Sequence, residues 1–346
     1  MGRHPTHPVT IYTVAERAGV SIATVSRVLQ DSVPSSPATR DKVLDAVREL
    51  GYVPLRSGRS TGLRLEAHGL VLASLAGPYF SGILAGYEST TTELAQSLSM
   101  LSTEAGPDLE TRVRDLAGKV DGMVIGQATV SDDIVAEVAA KVPTVLLSRQ
   151  RVPGCDTVSV ENSGSTRQLT EHLLRTHGLK RLLFVGDPDQ APDVWHRYQG
   201  FRAAHAAAGA VEAAGPLRLP YTEEAGDKAA FLIREMDDVD GLVCANDELA
   251  LALWRRLRWL GVRVPEDLAI TGWDDVMASQ YMAPGLTTVA QPSRVVGREL
   301  AMRLHARIVG TDSGADPVVV PSHVVIRGSC GCRETPSRFE PRIGFS

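Results

Sequence analysis

Two groups of residues in this sequence have the types and spacing to do chemistry with a ligand. The first is compact: Ser21, Thr24 and Ser26 place three hydroxyls beside Arg27. Hydroxyls and the free N–H groups of a helix start can hold phosphates. An arginine can donate two hydrogen bonds to a guanine edge, and Ile22 and Ala23 can touch thymine methyls. The second group is scattered. Gln127, Ser148, Arg149, Asn246, Asp247, Asp274 and Asp275 each follow an apolar run of strand length, where open α/β sheets bind their ligands. The same spacing suits helix caps, and Asp247 in particular is expected to cap the helix that follows.

Other chemistries are weaker. Gly58-Arg59-Ser60-Thr61-Gly62 matches the G-x-S-x-G of a hydrolase nucleophile elbow. That motif needs a strand before it and a helix after it, whereas Pro54 precedes and Arg64-Leu65-Glu66 leads into a strand. Cys155, Cys244, Cys330 and Cys332 are too few and scattered for a disulfide framework. The lone Cys330-Gly331-Cys332 has no matching ligands at metal-site spacing and reads as the chain's exit from its last strand. His172 and His177 flank a helix end and read as surface or capping residues. No catalytic residue, metal or cofactor is expected.

The first group sits on three short helices. Ile11, Val14, Ala15 and Ala18 recur at three and four, one helical face. Gly19 stands where a helix end takes a left-handed residue, and Ser21 where the next helix takes its cap. Val25, Val28 and Leu29 form the second stripe. Ser36, Pro37 and Gly51 punctuate a third helix carrying Val43, Leu44, Val47 and Leu50. Two helices joined by a tight turn and braced by a third make a helix-turn-helix unit; a small bundle whose serines only cap is the alternative. Ile22, Ala23 and Arg27 then project from the outer face of the second helix.

The second group needs a larger scaffold. Apolar runs at 69–75, 98–101, 120–126 and 143–147 alternate with helical stretches at 81–96, 108–118 and 131–141. A second series follows, with strands at 157–160, 181–186, 241–245 and 268–272 and helices at 163–177, 195–208, 223–236 and 247–260. Alternation of this kind implies parallel sheets with helices on both faces, here in two lobes with a cleft between. A helix at 293–309 and strands at 318–327 return to both. The 346 residues are 43% hydrophobic and 22% charged, a globular mixture. The net charge of −5 hides a split: residues 1–64 carry +4 and the rest −9, so only the head suits a polyanion. No stretch has the length and apolarity of a signal peptide or membrane span, and the chain is expected in the cytoplasm.

The run Val9-Thr10-Ile11-Tyr12-Thr13-Val14-Ala15-Glu16-Arg17-Ala18-Gly19-Val20-Ser21-Ile22-Ala23-Thr24-Val25-Ser26-Arg27-Val28-Leu29 closely resembles the head of lactose-repressor (LacI/GalR) family regulators. Thr39-Arg40-Asp41-Lys42-Val43 and Gly51-Tyr52-Val53-Pro54 match as well. The resemblance implies base contacts from Ile22, Ala23 and Arg27 in the major groove. Tyr12, Ser21, Thr24 and Ser26 complete the implied DNA-binding set. In that family a hinge helix follows, with a leucine wedged into the minor groove. Here Gly58 replaces the preferred alanine, at about 1 kcal/mol of helix stability, and Thr61 replaces the leucine. The hinge is therefore expected not to kink DNA in the usual way, leaving Arg56 and Arg59 to hold phosphates or follow a narrow minor groove.

Residues 69–332 resemble the family's periplasmic-binding-protein-like sensor. Trp195-His196-Arg197-Tyr198-Gln199-Gly200-Phe201 is similar to its R-x-x-G-[FW] segment, and Cys244-Ala245-Asn246-Asp247 to its A-N-D step. Gly272-Trp273-Asp274-Asp275 resembles G-[FY]-D-D, and Leu286-Thr287-Thr288-Val289-Ala290-Gln291-Pro292 resembles L-T-T-[VI]-x-Q. The resemblance points Arg197, Asn246, Asp274 and Gln291 into the cleft. Gly77-Pro78-Tyr79-Phe80 resembles N-P-[FY]-F, which sets Tyr79 and Phe80 beside the effector. Gln127 and Ser148 join them, although the serine stands where the family carries an aspartate. Trp195 and Trp273 are expected near the cleft, and Trp254 and Trp259 in packing.

These expectations describe an N-terminal all-α head (1–54), a hinge (55–68), a two-lobed α/β sensor (69–332) and a tail (333–346) without heptads. Lobe 1 takes 69–162 and 293–320, and lobe 2 takes 163–291 and 321–332. The implied function is operator-specific transcriptional regulation, as a homodimer, controlled by a sugar-like effector. The alternatives are a solute-binding protein for a transporter, against which the basic head and missing export signal argue, and an enzyme using the cleft.

Overall fold

A computed structural model describes residues 11–30, 36–50, 67–103, 106, 108–209, 215–236, 238–311 and 317–333. Arg56, Arg59, Gly58 and Thr61 lie outside them, as does the tail beyond 333. In the head, α1 (Ile11–Ala18), α2 (Ile22–Gln30) and α3 (Pro37–Leu50) enclose Val14, Ala15, Val25, Val28, Val43 and Ala46. Gly19 takes φ 66° between α1 and α2, a conformation that a side chain disfavours. Ser21 Oγ accepts from Thr24 N (3.1 Å) and Ser36 Oγ from Thr39 N (3.3 Å), so each serine caps its helix as its position predicts.

The body is built on two parallel sheets. The first joins β1 (Ala67–Leu72), β2 (Ser97–Ser102), β3 (Gly122–Gly126), β4 (Thr144–Leu147), β5 (Asp156–Val160) and β10 (Val318–Val320), in the order β10-β5-β4-β3-β1-β2. Strand residues alternate between its faces. Leu70 and Leu72 pack with α4 (Pro78–Glu93) and α12 (Ser293–Val309), and Val71 with α5 (Leu109–Ala117) and α6 (Asp132–Ala139). The second sheet, β6 (Leu182–Val185), β7 (Gly241–Cys244) and β8 (Ala269–Thr271), is layered the same way. Leu183 and Val185 pack with α9 (Glu223–Arg234) and α10 (Asp247–Trp259). Leu182 and Phe184 face α7 (Ser163–Thr176) and α8 (Pro192–Ala208). A short helix, α11 (Met277–Tyr281), follows β8. An antiparallel ribbon of β9 (Thr288–Ala290) and β11 (His323–Val325) completes the set.

Three sequence expectations change. The strand at 157–160, counted with the second series although it lies within the 69–162 span assigned to lobe 1, is β5, which pairs with β4 in the first sheet. Its buried Asp156 accepts from Arg303 Nε (2.8 Å) and Arg307 Nη1 (2.6 Å), fixing α12 to that strand. The pairing β9–β11 is antiparallel, unlike the uniformly parallel pattern implied by alternation. Trp254 packs in the core, but Trp259 is 74% exposed, with Arg256 lying 5.5 Å from its ring centroid.

Glycines set the closest helix contacts. A Cβ on Gly86 would lie 2.0 Å from Arg294 O, and one on Gly297 2.1 Å from Ile83 O, so α4 and α12 touch backbone to backbone. Likewise a Cβ on Gly200 would lie 2.2 Å from Ser163 O, bringing α8 against the start of α7.

Candidate functional site

A cavity of about 340 Å³ opens where the carboxyl ends of the two sheets meet, within the range of small-molecule sites. The β1–α4 loop contributes Ser74 and Gly77, the first turn of α4 contributes Tyr79 and Phe80, and Gln127 follows β3. From around the second sheet come Asp193 and Arg197 on α8, Asn246 and Glu248 at the start of α10 and Asp274 after β8, and from the ribbon comes Gln291 after β9. The tyrosine and phenylalanine rings meet edge to face at 5.3 Å.

Arg197 is held before any ligand arrives. The closeness of α8 and α7 at Gly200 lets its Nε donate to Asn162 Oδ1 (2.8 Å), while Nη1 donates to Ala245 O (2.6 Å). Its guanidinium lies 4.4 Å from the centroid of the Trp273 ring, a cation–π contact. Asn162 in turn donates to Asp193 Oδ1 (3.0 Å). Burial raises the Asp193 pKa above 3.8. Asp274 accepts from Gln291 Nε2. Its φ of 121° is strained for an aspartate, and the G-W-D-D step turns its carboxylate to the cavity. Loss of water lifts its pKa to about 7, against the opposing pull of Arg197.

Four buried polar atoms at this site have no hydrogen-bond partner: Tyr79 Oη, Gln127 Oε1, Gln291 Oε1 and Trp273 Nε1. Native structures pair nearly all such groups. Acceptors, a donor fork and aromatic faces in one cavity match a ligand whose hydroxyls both donate and accept.

Of the predicted effector residues, Tyr79, Phe80, Gln127, Arg197, Asn246, Asp274 and Gln291 line this cavity. Ser148 does not. It lines a neighbouring cavity of about 300 Å³, which shares Asp193. Asn246 is already engaged, because Oδ1 accepts from Leu249 N (3.0 Å) and Nδ2 donates to Tyr221 O (3.1 Å). It is therefore the cap of α10, the part expected of Asp247. That aspartate is fully buried and accepts from Ser279 Oγ, Thr288 Oγ1 and Val276 N, which ties the segment after β8 to α10. Asp275 pairs with Arg327, and Arg149 braces the loop after β3. Trp273 lies beneath Arg197, whereas Trp195 is exposed and outside the cavity lining.

Sequence reasoning missed Asp193, Tyr221, Thr222 and Glu248. Asp193 carried a signal: it stands four residues before Arg197, on the same helical face. Tyr221 lies in irregular chain with no periodicity to mark it. The expectation of no metal-ligand set also rested on spacing alone. The fold gathers His172, His177, Cys330 and Cys332 with all ligand atoms within 4.8 Å of one another.

On the head, Tyr12, Ser21, Ile22, Ala23 and Arg27 are exposed and Thr24 and Ser26 half-buried, all on or beside α1 and α2. Arg27 Nε rests on Ala23 O at 3.1 Å. Ser21 and Thr24 hydroxyls lie 2.8 Å apart, so both already serve the helix start.

No helix among the described residues is long and apolar enough to cross a membrane. Residues 10–55 match the model of bacterial regulatory proteins of the lacI family, and residues 170–330 that of a periplasmic binding protein-like domain. The chain is 34% identical over 336 residues to the HTH-type transcriptional regulator CelR of Thermobifida fusca, covering 92% of this chain and 98% of that one. With the HTH-type transcriptional repressor CytR of Escherichia coli (strain K12) it shares 30% over 327 residues, 92% and 96% of the two chains. Among solved structures, a transcriptional regulator CelR–cellobiose complex superposes with TM-score 0.69 at 32% identity, covering 93% of this chain and 100% of that chain. The lac repressor dimer bound to operator and the anti-inducer ONPF gives 0.70 at 27%, covering 94% and 99%. Head, parallel-sheet body and full-length likeness agree: the chain belongs to the lacI family and is a helix-turn-helix transcriptional regulator.

Proposed function

We propose that this regulator is a repressor that binds a pseudo-palindromic operator as a homodimer and responds to a sugar-like effector held in the cavity between its lobes. One observation carries the effector reading. Arg197, fixed over Trp273, shares one cavity with Asp274 and with the unpartnered oxygens of Tyr79, Gln127 and Gln291. A guanidinium and a carboxylate bracket vicinal hydroxyls, and the rings of Tyr79 and Phe80 offer faces for the C–H side of a sugar. The cavity residues bind and do not catalyse, and the protein works in the cytoplasm, beside its DNA. The head spans residues 1–54 and the hinge 55–68. One lobe is formed by 69–162 with 293–320 and the other by 163–291 with 321–332. A single head reads one half-site, so two copies are required.

The test is operator binding by the full-length protein, followed by fluorescence anisotropy with and without candidate sugars. Cellobiose comes first, because it is the ligand of the CelR complex. A change in operator affinity of about 5–150-fold is expected, the usual range of coupling between two sites. Sequence-specific binding that no sugar or sugar derivative alters, with no calorimetric binding of any of them, would overturn the effector assignment.

A further inference from the structure

We propose that His172, His177, Cys330 and Cys332 form a structural zinc site that clasps the carboxyl-terminal segment to α7. His172 lies in the last turns of α7, and His177 is the residue that ends it. Cys330 closes a 3-10 turn at Gly328–Cys330, and Cys332 follows two residues later. Four of the six distances between ligand atoms match the ion's geometry, and all six are within 4.8 Å. Zinc at about 2.3 Å from sulfur and 2.0–2.1 Å from nitrogen, in a tetrahedron, sets edges of about 3.3 Å between nitrogens and 3.6 Å between nitrogen and sulfur. Here the two Nε2 atoms are 3.1 Å apart. Cys330 Sγ is 3.7 Å from His172 Nε2, and Cys332 Sγ is 3.4 Å and 3.3 Å from the two histidines.

Ordinary hydrogen bonding does not account for this convergence. A neutral imidazole nitrogen offers one proton or one lone pair, yet His172 Nε2 has three partners within 3.7 Å. A shared central cation uses one lone pair from each ligand. Two thiolates and two neutral imidazoles also balance the charge of Zn²⁺, and a tetrahedral S₂N₂ set selects it. The surroundings support the ligands. Thr287 Oγ1 lies 2.9 Å from Arg327 O and 3.2 Å from Cys330 Sγ, so its single proton is within reach of the sulfur, the kind of outer contact that steadies a metal thiolate. Gly331 takes φ 103°, and a Cβ there would come within 3.2 Å of His177 Nδ1, so glycine lets both cysteines turn to one point. Cys155 and Cys244 lie in separate cores and take no part.

The site would close a loop between segments 155–160 residues apart. It would also pin one end of α7, whose start adjoins Asn162, the partner of Arg197. The experiment uses the full-length protein purified under reducing conditions. One zinc per chain is expected after gel filtration. Cobalt(II) exchanged into it should give thiolate charge-transfer and tetrahedral d–d absorption. A strong chelator should lower Tm by roughly 5–10 °C, restored by zinc. Cys332→Ser and His172→Gln should each cut zinc retention at least about tenfold. A folded wild-type protein that takes up neither zinc nor cobalt, or that carries a Cys330–Cys332 disulfide instead, overturns the proposal. So does unchanged metal uptake in folded Cys332→Ser, and the wild-type cobalt spectrum decides the matter if the variants fail to fold.

Discussion

In the function proposed above, effector sensing rests on Asp274 and operator reading on Arg27, and each makes a sharp prediction. The folded pKa of Asp274 is raised from 3.8 to about 7 by withdrawal from water. A carboxyl shifted upward stabilises the fold fully below the unfolded value, and that contribution is lost as pH rises through 7. Its size is no more than about 4 kcal/mol. Asp274→Asn, neutral at every pH, should therefore gain Tm relative to wild type between pH 4 and 8, read by thermal denaturation across that range. A constant difference would place the shift elsewhere. Effector affinity that uses the carboxylate should fall in the wild type below pH 7. For Arg27, exposed on α2, substitution by alanine should weaken specific operator binding by about 1–3 kcal/mol and leave non-specific binding nearly intact. Equal losses on operator and random DNA would make it a phosphate contact. Both residues were legible in the sequence because their motifs are contiguous. Ser148 lines the neighbouring cavity instead, and a position after a strand does not say which of two adjoining cavities it lines.

At the scale of elements, the R-x-x-G spacing acquires a physical meaning. Gly200 brings α8 within backbone contact of α7, and that approach is what lets Arg197 reach Asn162. Gly200→Ala must push the helices apart, at about 1–3 kcal/mol for overpacking. We expect a lower urea midpoint together with weakened effector affinity, while head-mediated operator binding without effector persists. Loss of stability with unchanged effector affinity would show that Arg197 does not depend on this crossing. Helix existence was readable from three-and-four periodicity, and caps such as Ser21 and Ser36 from residue type. The partner of β5 was not. That strand is short and mixed, Asp156-Thr157-Val158-Ser159-Val160, and nothing local tells it which strand to pair with.

The whole molecule divides its charge as it divides its labour. With +4 on residues 1–64 and −9 on the remainder, the function proposed above predicts that DNA contact is confined to the heads, the body's charge opposing the phosphates. Operator affinity should then fall steeply with salt, by about 10³–10⁵ between 50 and 200 mM if a dimer makes six to ten phosphate contacts. A titration with little salt dependence would contradict that arrangement. By itself the sequence determined the head, the alternation of strands and helices, and the residues after each strand, because helix and strand periods, caps and turns act over a few residues. Tertiary structure decided what meets across distance. It made Asn246 the cap of α10, buried Asp247 as a brace, and paired β5 with β4. It also gathered two histidines and two cysteines from opposite ends of the second lobe's chain. Those outcomes depend on packing between segments far apart in sequence, and local pattern carries no record of such contacts.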